Sequence, residues 1–478
     1  MRAPTLGALR DSGHVHKTVK TEIRDNLLAR LASGEERFPG ILGFDETVLP
    51  QVERALLAGH DFVLLGERGQ GKTRLIRTLV GLLDEYTPVV VGCEIHDHPY
   101  APVCGRCRGL LAELGDELPV DWLPRDQRYG EKLATPDTSV GDLIGDIDPV
   151  KVAEGRSLGD PETVHYGLVP RTNRGIFSVN ELPDLAERIQ VSLLNVLEER
   201  DIQVRGYALR LPLDLLLVAS ANPEDYTNRG RIITPLKDRF GSEVRTHYPL
   251  RLDDELALIR QESVLTWHGA GGTTGAAADS DAPLGGSVVP DFLVEVIARF
   301  TRAVREAPQV DQRSGVSARL AIAAAETVAA SAVRRAAVTG EAEPVARVAD
   351  LAAMIPAVRG KVEFDSLEEG REIDILAHLL KRTVADTFRA RLAGVDLTGL
   401  QKRVEGGGPI ETGDLVPATA LLTAIGPVPG LAQLLTRLDL DGAESPGIAA
   451  SALEFALEGL HLHRRLSKEE LPGRTIYG

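Results

Sequence analysis

Apolar residues change their spacing twice along this chain. Up to about residue 36 they are sparse among charged residues, with helical spacing over residues 21–32, so 1–36 reads as an N-terminal arm or extra helix. From Phe38 the glycines Gly40 and Gly43 break the chain, residues 47–58 repeat apolar positions at helical spacing, and 61–65 form a short apolar run stopped by glycine. Such a run predicts a buried strand. Residues 88–91, 175–179 and 213–220 repeat the signal, separated by helical stretches such as 184–199. That alternation predicts a mainly parallel sheet covered by helices. After Pro249 the pattern becomes Ala-, Leu- and Arg-rich amphipathic helix to about Gly394, with a polar break at 339–343, and further helices follow over 395–478. Within that half, residues 268–287 (HGAGGTTGAAADSDAPLGGS) hold too little apolar area to order themselves and predict a flexible loop.

The chain has 478 residues, which at about 150 per domain predicts two to four packed units. With 43% hydrophobic and 26% charged residues it is neither disordered nor collagen-like. Its 54 basic and 70 acidic side chains leave a net charge of −16, which makes nucleic acid an unlikely partner. Three cysteines, all within residues 93–107, are no secretory disulfide framework and fit a reducing, cytoplasmic setting. No apolar run approaches the roughly 20 residues that cross a bilayer, so no membrane span is expected.

The chemistry concentrates after the 61–65 strand. Gly66, Glu67, Arg68, Gly69, Gln70, Gly71, Lys72 and Thr73 spell GERGQGKT, a G-x-x-x-x-G-K-[ST] loop between a strand and the helix predicted over 74–83. Its glycines let backbone N–H groups turn toward phosphate oxygens, Lys72 reaches the β- and γ-phosphates, and Thr73 ligates Mg²⁺. ATP with Mg²⁺ is the implied ligand. Hydrolysis also needs carboxylates at the end of another strand, and GIFSVNE (residues 175–181) offers Glu181 to polarise water. Asn180 stands where a metal-side aspartate would, removing a charge beside Mg²⁺ and predicting slower turnover or weaker Mg²⁺ affinity.

Residues 38–73 together with GLVPRTNRGIFSVNEL, SANPEDY and ITPLKDRFG resemble the AAA+ ATPases of the magnesium chelatase I subunit and MoxR group. The resemblance covers residues 38–249 well and the helical half more loosely. It implies an α/β architecture: a P-loop AAA+ αβα nucleotide-binding domain with a parallel sheet over 37–249, a helical lid over 250–394 and a C-terminal helical region over 395–478. It further implies that Asn222 is a sensor positioning water and γ-phosphate, that Arg239 is an arginine finger reaching a neighbouring subunit, and that Arg319 is a second sensor. Arg171 and Arg174 read either as subunit-interface arginines or as ordinary surface charges. Residues 199–212 alternate polar and apolar positions around Arg205, Gly206 and Tyr207 and predict a β-hairpin. In the family such projections, and the insert that starts at residues 142–155, face the pore or a partner.

Cys93, Cys104 and Cys107 lie in GCEIHDHPYAPVCGRCR beside His96 and His98. The C-x-x-C places two thiolates on a tight knuckle, and Cys93 with one histidine would complete a tetrahedral set for Zn²⁺. A structural zinc and free thiols in a loop are the two readings, and chelatase-like relatives carry a similar loop.

The function that the resemblance implies is a mechanochemical ATPase. It would work as a ring, usually a hexamer in the family, that remodels, activates or metallates a client protein with a von Willebrand A domain partner. The alternatives are a genuine magnesium chelatase subunit, a nucleotide-gated scaffold that hydrolyses little, and an AAA+ transcriptional regulator. The last lacks a GAFTGA loop and any obvious DNA-reading element.

Overall fold

The computed structural model describes residues 2–147, 150, 153, 163–199, 202–204, 207–209, 211–223, 231–269, 272–275, 287–311, 315–440 and 445–478. They form two compact units, Met1–His247 and Tyr248–Gly478. No described helix is long and apolar enough to cross a membrane.

The first unit is an αβα layer structure around five parallel strands, here β1 (Phe62–Leu65), β2 (Tyr129–Leu133), β3 (Gly175–Asn180), β4 (Leu215–Ala221) and β5 (Ser242–Arg245). Their order across the sheet is β5-β1-β4-β3-β2. In register, Phe62 lies opposite both Val218 and Ser242, and Val218 opposite Ser178. Every residue of β1, β3 and β4 is buried, whereas the edge strands β2 and β5 each bury one residue, Gly130 and Val244, and leave the rest half-buried or exposed. This contrast explains what the apolar pattern misses. A central parallel strand is covered on both faces and reads as a continuous apolar run, while the edge strands YGEKL and SEVR do not. The run at 88–91 does form a strand, Tyr86–Val90, but it pairs antiparallel with Val120–Pro124 outside the central sheet. Apolarity reports burial, and the edge beside β3 is already taken by β2.

Residues 1–36, expected as an arm or extra helix, are built into this unit. Helices α1 (Leu6–Asp11) and α2 (Val19–Ser33) are capped by Thr5 and Thr18, whose hydroxyls accept from the N–H groups of Ala8 and Thr21. They bury Leu6, Leu9, Val19, Ile23 and Leu27. From α2, buried Glu22 takes two hydrogen bonds from Arg128, at 2.6 and 2.7 Å, and one from the Asp84 N–H at 2.6 Å. Helix α3 (Leu49–Leu57) and α4 (Lys72–Thr78) pack Val52, Leu56, Leu75 and Ile76 against the same core as Leu64 and Val218. Strands Ile202–Val204 and Tyr207–Leu209 pair antiparallel at the predicted hairpin, whose Arg205 and Gly206 lie outside the described residues. Of the insert at 142–155, Gly145–Ile147 pairs antiparallel with Val164–Tyr166, and most of what lies between is outside the described residues.

The second unit is mainly helical, and its single core runs from Leu256 to Tyr477, spanning both stretches expected as separate regions. Helices Asp291–Arg305, Ala318–Thr339, Glu372–Arg391 and Pro446–Leu462 carry it, with Phe292 and Phe455 rings 4.7 Å apart. A Cβ at Gly459 would run into the Phe388 ring, so the last two of these helices approach closely because this position has no side chain. Two expectations change here. Inside the expected loop of 268–287, residues 268–269 and 272–275 belong to the strands Thr266–Gly269 and Gly272–Gly275, which pair antiparallel, and the former also pairs with Val288–Pro290, while 276–286 lie outside the described residues. The C-terminal region, expected as helical, also holds a small sheet of Ile410–Thr412, Lys468–Leu471 and Arg474–Tyr477.

Breaking a buried ion pair by removing one partner leaves an uncompensated charge. Glu22→Gln should therefore lower the stability of the first unit by about 3 kcal/mol or more, read as an earlier transition in a denaturant titration. An unshifted midpoint would remove the Arg128 pair from the folding of this unit.

Candidate nucleotide site

The 66–73 loop leaves β1 at the C-terminal edge of the sheet, where parallel α/β folds bind ligands, and α4 begins inside it at Lys72. Gly69 and Gly71 take φ of 75° and 74°, left-handed values that a side chain would strain. A Cβ at Gly66 would collide with Thr246 Oγ1 and Gln70 Oε1, which hydrogen-bond each other at 2.7 Å. A side chain at Gly66 would therefore have to displace the Gln70–Thr246 pair. Lys72 is buried, and its ammonium donates to the carbonyl oxygens of Gly66 and of Glu67, the latter at 2.7 Å, and to Asn222 Oδ1 at 2.9 Å. Asn222 follows the last residue of β4, directly beside β1, so the sheet brings the expected sensor to the P-loop lysine. Thr73 is half-buried in the first turn of α4. A cleft of about 400 Å³ opens beside the loop, lined by Gly66, Gln70, Pro223, Lys237, Arg245 and Thr246. Lys237 and Arg245, on the helix before β5 and on β5 itself, were missed in the sequence because surface cations carry no pattern.

The end of β3 is a hydrogen-bonded chain. Glu181 has φ 56°, and its N–H donates to Ser220 Oγ at 3.3 Å, whose hydroxyl donates to Asn180 Oδ1 at 3.2 Å. Asn180 Nδ2 donates in turn to Glu131 Oε1 at 2.8 Å. Glu131, on β2, also takes two 2.8 Å bonds from Arg77 of α4 and one from the Tyr129 hydroxyl at 2.9 Å. The Arg77 bonds hold the Glu131 carboxyl below its ordinary range. An ionised carboxylate only accepts, so Glu131 fixes the Asn180 amide with its oxygen turned to Ser220 and β4. Nothing in YGEKL marks this glutamate in advance; strand pairing alone brings it there.

Other expected residues are placed differently. Arg239 is exposed at the end of helix Thr234–Arg239 and donates to Glu198. Arg171 is exposed at the end of Leu168–Arg171. Arg174, read as an interface arginine or a surface charge, is neither: it is buried and donates to Pro88 O at 2.8 Å and Thr87 Oγ1 at 2.6 Å, and burial pulls its guanidinium down to about 10. Arg319 lies in the second unit, in the first turn of Ala318–Thr339, its N–H donating to Ser317 Oγ.

In the cysteine loop the ligand atoms of Cys93, Asp97, Cys104 and Cys107 converge, and neither His96 nor His98 belongs to the set. His98 Nδ1 accepts from the Tyr100 N–H at 3.0 Å, and its ring lies 4.2 and 5.4 Å from those of His16 and His14. Burial, aided by the charge of Arg174, pulls His98 down to about 2. Burial pushes Asp97 up to about 7, while hydrogen bonds with the Cys104 and Cys107 thiols pull Cys93 down.

No family profile matches the chain. It is 32% identical over 226 residues to a magnesium-chelatase 38 kDa subunit of Acidiphilium rubrum, covering 45% of this chain and 60% of that protein. With the corresponding subunit of Rhodobacter capsulatus the identity is 29% over 229 residues, covering 47% and 59%. The chain therefore spans about three fifths of the length of these curated relatives. Among solved structures, the complex between subunits BchI and BchD of magnesium chelatase matches 71% of this chain and 98% of that one at 22% identity, with a TM-score of 0.35.

Gly66→Ala should displace the Gln70–Thr246 pair and cost about 1 to 3 kcal/mol, measured as a lower thermal midpoint without nucleotide. An unchanged midpoint would mean the loop relaxes around the methyl group. With the GERGQGKT loop, the β4 asparagine and the parallel sheet in place, the first unit is a P-loop αβα unit, and the chain is similar in sequence to these magnesium-chelatase subunits.

Proposed function

We propose that the chain is an ATP hydrolase that works as a ring, using nucleotide turnover to remodel, activate or load metal or cofactor into a client protein. The bond between Lys72 and Asn222 carries this reading, because it joins the cation for the β- and γ-phosphates to a polar group able to order water beside them. The Gly66 cradle fits a phosphate approached by backbone N–H groups. Thr73 and Asn180 would hold Mg²⁺, which when bound offsets charge on the phosphates. Glu181 polarises the attacking water, and Glu131 keeps the amide oxygen of Asn180 on the β4 side. Arg239, exposed and tethered to Glu198, acts as the finger that reaches a neighbouring copy once that tether is released, and Arg319 acts as the second sensor. A head-to-tail interface that closes on itself gives a ring, and six copies is the number we infer. A partner with a von Willebrand A domain and a cytoplasmic setting belong to the same proposal.

Asn180 favours a second reading, a nucleotide-gated scaffold with little turnover. Its amide brings no charge to the metal side, and its Glu131 partner is already shared with Arg77.

Four variants separate the readings. Lys72→Ala should abolish retention of a fluorescent ATP analogue. Arg239→Ala should keep binding and lose hydrolysis by about 10³-fold, and Glu181→Gln should trap ATP in the largest assembly seen by light scattering. Unchanged retention in Lys72→Ala, or a monomer at saturating ATP, would sink the ring ATPase. Asn180→Asp should raise single-turnover hydrolysis and lower the Mg²⁺ needed. Hydrolysis absent from the native chain and restored in this variant selects the scaffold.

A further inference from the structure

Outside the nucleotide site, the chain between Tyr86–Val90 and Val120–Pro124 gathers four side chains that nucleotide chemistry does not use. One ligand atom each from Cys93, Asp97, Cys104 and Cys107 lies within 4.8 Å of all the others. Four ligands about 2.3 Å from a shared centre stand roughly 3.8 Å apart in a tetrahedron, so a set this tight fits a single ion. An iron–sulfur cluster spreads its thiolates around several irons and needs a wider cage. Three sulfurs form a soft donor set, which selects zinc over magnesium or calcium.

Asp97 points to the same conclusion independently. It is 1% exposed, and its Oδ2 accepts from the N–H groups of Val103 at 3.0 Å and Cys104 at 2.9 Å. Its Oδ1, equally buried, has no hydrogen-bond partner among the described residues. A buried acceptor left without a partner is costly, and a cation among the thiolates supplies one. The backbone is arranged for sulfur ligands as well. The Asp97 N–H donates to Cys93 Sγ and the Cys107 N–H to Cys104 Sγ, both at 3.3 Å. Cys104 also caps the helix Gly105–Leu114, whose positive end favours a thiolate. All three cysteines are free of disulfides.

We propose that Cys93, Asp97, Cys104 and Cys107 hold one structural Zn²⁺ that pins this loop, with Asp97 rather than a histidine as the fourth ligand. Four protein ligands close the coordination shell, which makes the ion structural and its occupancy independent of nucleotide.

The test uses the full chain, purified in reductant without chelator or a metal-affinity step, with its metal measured by elemental mass spectrometry. About one zinc per chain is expected, and replacement with Co²⁺ should give tetrahedral d–d bands with thiolate charge transfer. Cys107→Ser and Asp97→Ala should each weaken retention against a competing chelator about tenfold or more, while His96→Ala and His98→Ala retain zinc as the native chain does. If the first two variants fail to fold, Asp97→Cys decides: it should keep the metal and strengthen the charge-transfer absorption of the Co²⁺ form. Absence of zinc after reconstitution with zinc chloride, a disulfide among these cysteines in reduced protein, or full zinc retention in Cys107→Ser would each overturn the proposal. A Co²⁺ spectrum unmoved by Asp97→Cys would do so too.

Discussion

The insertion of β4 between β1 and β3 governs everything that follows in the first unit. Because β4 lies between the strand that feeds the P-loop and the strand that ends in Asn180 and Glu181, its last residues face both. Ser220 turns one way and ties Asn180 to the Glu181 backbone, while Asn222, just beyond the strand, meets Lys72. In a sheet in chain order β3 and β4 would still be neighbours, but β1 and β4 would lie three strand spacings of about 4.8 Å each apart, putting Asn222 out of hydrogen-bond reach of Lys72. Parallel pairing also requires a long crossover for each return, which is where the helices covering the sheet come from.

Around that core, buried charge does more to shape the unit than to run its chemistry. Arg128 joins α2 to the sheet through Glu22, and its Nε donates to the Arg174 carbonyl. Arg174 in turn fastens the Tyr86–Val90 strand by two hydrogen bonds. Guanidinium groups suit this task because their planar forks bind carboxylates and carbonyls together without losing charge. The second unit repeats the device, with Arg335 on Asp350 at 2.5 Å and Arg347 on the carbonyls of Gly413 and Val416 at 3.1 and 2.6 Å. An arginine next to a nucleotide motif is therefore as apt to be a rivet as a sensor, and only its partners tell which.

Asn180 shows how neighbouring side chains set the orientation of a neutral amide. An amide on its own could present either its oxygen or its nitrogen to a neighbour. Glu131 accepts from one side and Ser220 donates from the other, so a single orientation remains. The amide oxygen faces Ser220 on β4, and the group as a whole carries no charge.

Features that depend on neighbours along the chain were legible from residues alone. The GERGQGKT loop, the apolar runs of β1, β3 and β4 and the amphipathic helices after Pro249 all announce themselves, because the backbone geometry of a phosphate loop and the burial of central strands constrain consecutive residues. The polar edge strands β2 and β5, the antiparallel pairing of Tyr86–Val90 and the inclusion of α1 and α2 were not legible, because each is settled by which distant backbone is available to pair or pack. The same holds for single side chains. Glu131 sits in unremarkable local sequence, Asp97 lies inside the cysteine loop between the two histidines read as ligands, and Arg174 looked like a surface cation or an interface residue. Side chains far apart in the chain acquire partners only when the sheet closes, and burial then decides which charges must be satisfied.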